Sequence, residues 1–404
     1  MKLVSSLEEI LADEEKLKGV MKDELRKVKK EYATPRKTDI KDEITEIKID
    51  NTVMIPKEDV IVLVTKDGYV KRTSMRSYQA SSDDITLKEN DYILGFYEIN
   101  TMDTILLFTN LGNYLYVPVH TIPDLKWKDL GKHVSNLIKL EENEEVIASI
   151  PVYDFNKNSD ITIATRNGMI KRTPISEFQV SRYSKPISCM KLKDDDYVVT
   201  AFETIYNEIF ISTTDSYGLW FDKGDIPVVG LKTSGVKSIT LKNDKVANVS
   251  NFDTNIHEYL LVVTDKGTGK RVKINEFEKS VRARRGLLIL REVKTNPYKI
   301  IKTFTIYHKD HIGVKNADIN ILKNTEFPIM DRYSTGSSIS KHEIYDAFKV
   351  KELEKKDLIL EPNPVKEETK VEVKQTPTKE DKKKVYLKEI DDRLLTIDDF
   401  LGDD

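Results

Sequence analysis

The sequence predicts an all-β fold: a closed ring of six propeller-like blades, with an amphipathic helix before it and a disordered charged tail after it. Residues 52–348 are short runs of Val, Ile, Thr, Tyr and Phe broken by Gly, Asn and Asp, the texture of strands and tight turns. That texture repeats. With Thr65, Thr109, Thr165, Thr214, Thr264 and Val314 in register, six segments align at intervals of 44, 56, 49, 50 and 50 residues. A unit of that size cannot bury a core alone, and closing six of them into a radial array of four-stranded blades leaves few strand edges to protect.

In chain order, the helix is read over residues 1–32 from apolar positions at Leu3, Leu7, Ile10, Leu17, Met21, Leu25 and Val28, three and four apart amid charges, with Pro35 as its stop. No helix of comparable length follows before the β region, so its apolar face must pack on something else. Residues 1–50 are thus helix and linker, 51–348 the blades and 349–404 the tail. Each unit opens on an apolar strand ("VIVLV", "TILLF", "DITIA", "EIFIS", "YLLVV", "DHIGV"), turns into a second strand, then gives a polar stretch and a further apolar pair of strands. Gly68, Gly112, Gly168 and Gly267 stand at the turn, where positive φ is needed; Tyr217 and Ala317 take that place in units four and six. The tail is rich in Lys, Glu, Pro and Thr and has too little apolar surface to order itself. Its last segment, "VYLKEIDDRLLTIDDFLGDD", reads as a short docking helix or strand.

The formal net charge of −3 over 404 residues neither favours nor excludes nucleic acid. Cys189, the single cysteine, rules out a disulfide framework or a cysteine-based metal site and reads as core. The histidines are scattered, and His308 and His311 lack a third ligand, so no metal is expected. Acidic runs at 141–145 and 194–196 read as exposed loops, and Trp127 and Trp220 as packing between blades. No run reaches the ~20 apolar residues of a membrane span. The N-terminus turns acidic too early for a signal peptide. A cytoplasmic protein without membrane contact is expected.

The basic residues are patterned. Units one, three and five carry Lys71-Arg72, Lys171-Arg172 and Lys270-Arg271 where the others carry Leu115-Tyr116, Trp220-Phe221 and Asn320-Ile321. Neighbours on a strand face opposite sides, so at most one of each pair joins a common surface. Equivalent positions of successive blades lie around one rim, where such charges form an arc. Residues 223–323 hold 20 Lys+Arg against 10 Asp+Glu, whereas 46–348 hold 41 of each. The densest cluster is "SVRARRGLLILR". Arginine forks suit phosphate, and a curved basic rim bends duplex rather than reading its sequence.

The stretches "EILADEEKLKGVMKDELRKVKKEYATPRKTDI" and "MIPKEDVIVLVTKDGYVKRTSMRSY", followed by "ISEFQ", "INEFE" and "EFPIMDRYSTGS", resemble the C-terminal part of the A subunit of bacterial type IIA topoisomerases, over about residues 7–340. The resemblance implies a β-pinwheel, whose hairpin strands are exchanged between neighbouring blades and whose basic outer edge binds and bends DNA. The opening helix is similar to the end of that family's coiled-coil arm. Gyrase-type members carry a "QRRGGKG"-like box in the first blade. Here the place after Tyr78 reads "QASSDDITLKEND", with Asp83 and Asp84 repelling phosphate, which points to the topoisomerase IV branch. The family's cleavage tyrosine beside an arginine has no matching region, so no catalytic residue is expected in this chain. The Mg²⁺ and ATP of the holoenzyme would act through other domains or subunits. The implied partners are double-stranded DNA, the remainder of the A subunit, and the B subunit, together in an A2B2 assembly at the nucleoid.

The expected phosphate contacts are Lys71, Arg72, Arg76, Lys171, Arg172, Arg182, Lys185, Lys232, Lys237, Lys270, Arg271, Lys273, Arg282, Arg284, Arg285 and Arg332. The rival readings are a gyrase-type DNA-wrapping domain and a protein-interaction propeller that works through its central face.

Overall fold

The apolar run that opens each unit pairs with the strand across its turn, giving six hairpins: Asp59–Thr65 with Tyr69–Ser74, Thr104–Thr109 with Asn113–Pro118, Asp160–Thr165 with Met169–Pro174, Glu208–Thr213 with Tyr217–Asp222, Tyr259–Thr264 with Thr268–Lys273, and His311–Lys315 with Ile319–Lys323. The structure, a computed structural model, describes residues 2–34, 38, 55–81, 85–193, 195–307 and 309–355. It divides into two units, Met1–Ile55 and Pro56–Asp404.

A threonine hydroxyl at the end of the first strand accepts from the amide four residues on: Thr65 from Tyr69 (3.1 Å), Thr165 from Met169 (3.1 Å) and Thr213 from Tyr217 (3.0 Å). This corrects the fourth anchor from Thr214 to Thr213, and places Ser216 (φ 73°), not Tyr217, at the glycine position of the turn. The sixth anchor likewise moves from Val314 to Lys315, which pairs with Ile319. The basic pairs of odd blades therefore align with Leu115-Tyr116, Leu219-Trp220 and Ile321-Leu322 in the even ones.

The strands Ile93–Asn100, Val146–Val152, Val198–Glu203, Val246–Phe252, Ile300–Ile306 and Asp346–Lys349 each pair with the first strand of their own hairpin and neighbour one another round the inside of the ring. The expected second strand of that pair is instead a two-residue strand lent to the preceding blade. Lys132–His133 pairs with Tyr69-Val70 of blade 1, Ile187–Ser188 with blade 2, Val236–Lys237 with blade 3, Leu287–Leu288 with blade 4 and Ser337–Ser338 with blade 5. Among the described residues blade 6 has three strands. This exchange makes the ring a pinwheel: the outer edge of each of blades 1 to 5 is closed by its neighbour's chain, the answer to the edge problem.

Five apolar clusters lie between successive blades, with Leu107 and Leu115 between the first two, Phe108 and Phe178 next, then Ile209 and Phe221, Phe252 and Leu260, and Val263 and Phe327. Cys189 is buried in the second, its Sγ 3.3 Å from the Gly112 carbonyl, and burial pushes its thiol up to about 12. Blade 6 meets blade 1 differently. The Tyr92 ring stacks on Phe348 at 3.8 Å and its hydroxyl donates to Asp346 (2.9 Å). Glu354 exchanges backbone bonds with Phe96 and Glu98, both 2.9 Å. The fold thus runs past the expected boundary at 348 to at least Lys355; the rest of the expected tail lies outside the described residues, as do Pro35, Asp83, Asp84 and His308.

In the first unit the expected single helix is two, Lys2–Ala12 and Glu14–Tyr32. Asp13 interrupts it because its carboxylate caps the second helix, accepting from Glu15 (3.0 Å) and Lys16 (3.4 Å) amides. Leu3, Leu7, Met21, Leu25 and Val28 are exposed. Among the described residues no helix is long and apolar enough to cross a membrane.

Candidate nucleic-acid interface

Alternation along the second hairpin strand turns the two members of each basic pair to opposite sides, and the lysine goes inward. Lys71, Lys171 and Lys270 are at most 1% exposed. Each ammonium is held by backbone carbonyls of the next unit's chain: Lys71 by Trp127 and Asp129 (2.7 Å), Lys171 by Gly230 (2.8 Å) and Leu231 (2.7 Å), Lys270 by Asp331 (3.0 Å), Arg332 (2.9 Å) and Ser334 (2.8 Å), with Ile289 of its own unit (2.7 Å) as a fourth. Burial lowers all three to about 8. The expectation that these lysines touch phosphate is therefore corrected; an ammonium saturated by carbonyls inside the fold cannot reach a ligand outside it.

The paired arginines are half-buried and also engaged. Arg72 donates to the His120 carbonyl (3.2 Å), Arg172 to the Ile226 carbonyl and to Asp160 (both 3.0 Å), and Arg271 to the Phe327 carbonyl (2.7 Å). They clamp the incoming exchanged segment, which makes a parallel bridge beside each of them. Arg282 and Arg332 play a similar part: Arg282 reaches the Asp225 (2.8 Å) and Lys237 (2.9 Å) carbonyls, and Arg332 the Leu288 carbonyl (3.1 Å).

The free charge sits on the loops that lead into the exchanged strands. Arg182 and Lys185 precede the outer strand of blade 2, Lys232 precedes that of blade 3 and Lys237 ends it, and Arg284 and Arg285 precede that of blade 4; all six side chains are exposed. Among the described residues none of the six pairs with a carboxylate, while Arg285 lies 4.1 Å over the Tyr217 ring. Backbone bonds tie the three loops together: Lys191 N–H to Thr233 O (3.1 Å), Ala283 N–H to Ser238 O (2.6 Å) and Thr240 N–H to Arg284 O (2.8 Å). The loops turn on residues with little choice. Gly235 (φ +72°) and Gly286 (φ +83°) press on the strand they join, so that a Cβ would stand 2.4 Å from Ile170 O and 2.2 Å from Gly218 O.

Arg76 is exposed on the helix Met75–Gln79 of blade 1, and Lys273 is exposed at the end of its strand away from the turn; the structure does not join either to these loops. Exposed Lys126, Lys128 and Lys132, on the loop that closes blade 1, are not among the contacts expected from sequence. A signal for them exists: Pro123, Pro227 and Pro328 each precede a turn glycine (Gly131, Gly235, Gly336) by eight residues, in the units that follow the basic pairs. The acidic runs are exposed at Glu141, Glu142, Glu145 and Asp195, as expected, with two corrections. Glu144 and Asp196 are buried and hold hairpin turns, Glu144 accepting from Thr109 (2.7 Å) and Asn113 (2.8 Å), and Asp196 from the Asn167 amide (2.8 Å). Trp127 is buried against Tyr78 and Phe96, and Trp220 is half-buried in the cluster between blades 4 and 5.

A closed ring of six small sheets, the first five each sealed by a strand from the next unit, with exposed cations on the loops that seal blades 1 to 4, defines a strand-exchanged β-propeller with a basic edge. The chain belongs to the family described as DNA gyrase C-terminal domain, beta-propeller, whose model matches residues 59–100, 103–152, 159–204, 207–253 and 258–302. It is 40% identical over 340 residues to the DNA topoisomerase 4 A subunit of Bacillus subtilis (strain 168), and 36% identical over 348 residues to that of Staphylococcus epidermidis; each match covers 83% of this chain and 42% of the relative. The chain thus spans less than half the length of these relatives. Among solved structures it is similar to the C-terminal domain of DNA topoisomerase IV (42% identity, TM-score 0.71, 74% of this chain and 94% of that one). It shares the fold of a DNA gyrase A C-terminal domain (20% identity, TM-score 0.54, 72% and 100%).

Proposed function

We propose that this chain is the DNA-binding and DNA-bending module of a topoisomerase IV A subunit. The observation that carries the reading is the band of six exposed cations, free of described carboxylates, on three loops hydrogen-bonded to one another across blades 2, 3 and 4. Backbone phosphates need cations in register along a curve and no base-reading groups, and the band offers that. The likeness to topoisomerase 4 A subunits supports it. In the whole enzyme the module would hold a duplex for ATP-driven strand passage, in decatenation and in relaxation of supercoils. The remainder of the A subunit would supply cleavage, the B subunit would hydrolyse ATP, Mg²⁺ would bind outside this chain, and the assembly would work in the cytoplasm at the nucleoid.

The test is a titration of a labelled duplex, with dyes at its ends to report bending, over roughly 50–200 mM KCl. Six neutralised phosphates give a log–log slope of about −5. A flat salt response, or binding without a change in end-to-end distance, would count against the proposal.

A further inference from the structure

The carbonyl clusters around the buried lysines have a consequence on their outer side. Among the described residues every peptide bond is trans, so the N–H that follows an inward-turned carbonyl points the opposite way. With the Gly230 and Leu231 carbonyls on Lys171, the amides of Leu231 and Lys232 face outward; in the same way Asp129 turns out the Leu130 amide in blade 1, and Ser334 the Thr335 amide in blade 5. Among the described residues these four amides meet no acceptor. They lie on the loops that close blades 1, 3 and 5, and in blade 3 they adjoin the exposed Lys232 side chain in sequence. An outward amide beside a lysine is a site for one phosphate oxygen.

We infer that the loops closing blades 1, 3 and 5 are backbone phosphate sites, with the outward amides as direct donors and Lys71, Lys171 and Lys270 as positioning residues that never touch the ligand. The inference rests on the duplex-binding reading above and names which atoms of the rim do the binding. It also accounts for the alternation of lysine with leucine at equivalent strand positions. Odd blades hold their rim loop open to an anion through an internal cation; blades 2 and 4, with Leu115 and Leu219 there, rely on exposed side chains instead, Arg182 and Lys185 in one and Arg284 and Arg285 in the other.

The test uses the full chain, with ¹⁵N-labelled leucine and lysine, titrated first with inorganic phosphate and then with a short duplex. The Leu231 and Lys232 amide signals should move with both ligands; amides that stay still would overturn the inference. In parallel, Lys171→Met should weaken duplex binding about 10-fold with the salt slope unchanged within ~0.3, whereas Lys232→Ala should lower the slope by about 0.9. Lys171→Arg should recover part of the affinity. A Lys171→Met protein that binds as the wild type does, or one whose slope falls by ~0.9 as for a direct phosphate contact, would also overturn it. If Lys171→Met does not fold, the wild-type amide shifts still decide. A wild-type chain that binds no duplex would instead remove the DNA reading itself.

Discussion

Reversing four rim charges together, Lys232→Glu, Lys237→Glu, Arg284→Glu and Arg285→Glu, should lower duplex affinity by about 1000-fold or more at ~0.1 M salt, while the urea midpoint stays close to that of the wild type. Each removed contact is worth roughly 1 kcal/mol when solvent screens it, so four give about three powers of ten, and the new carboxylates add repulsion. Stability should hold because all four side chains are exposed and none pairs with a described carboxylate; only Arg285 gives up a contact, its stacking on Tyr217. The control is Arg76→Glu with Lys273→Glu, two equally exposed cations away from the loops, which should change affinity by less than about 10-fold. Anisotropy titrations of the variants measure both. Equal losses from the two sets would mean that charge acts through the overall field and not through the band.

Lys270→Met should be the most destabilising single change at a charged residue, costing about 3–5 kcal/mol in urea unfolding. Its ammonium serves four carbonyls from two different stretches, Ile289 on one side and Asp331, Arg332 and Ser334 on the other, and methionine leaves all four without a donor in a fully buried place. The gain from no longer burying a charge offsets part of this, since burial already depresses the lysine to about 8. Lys71, with two carbonyls, should cost less. A loss under ~1 kcal/mol for Lys270→Met would show that water replaces the ammonium and that the carbonyl cage is not what holds the loop.

The ring was legible because its signal is periodic and repeated. Gly68, Gly112, Gly168 and Gly267 mark their turns by a backbone need that only local chemistry sets, and all four do take positive φ. Where a turn uses Ser216 instead, the neighbouring Thr213 and Thr214 offer two anchors, and only the hydroxyl's bond to Tyr217 separates them. The inward turn of Lys71, Lys171 and Lys270 was not legible. Charge argues for the surface, and what overrides it is a set of carbonyls from chain about sixty residues downstream, contributed by the next unit. Strand exchange was hidden for a related reason. Two-residue strands such as Val236–Lys237 carry no alternation to detect, and their Pro-to-Gly spacing shows only once the hairpins are set side by side. Of the candidate contacts on the sealing loops, six stand exposed and Arg282 and Arg332 are drawn into the scaffold; of those on the hairpin strands, only Lys273 is exposed.

Hydrogen exchange of the full chain with and without a bound duplex tests the placement of the interface most directly. The account predicts slowed exchange at 181–188, 231–238 and 282–287, and at the Leu130 and Thr335 amides of the loops closing blades 1 and 5, with the inner strands and the hairpin turns unchanged. Protection confined to the inside of the ring, around 146–152 and 246–252, or spread evenly over all six blades, would contradict it.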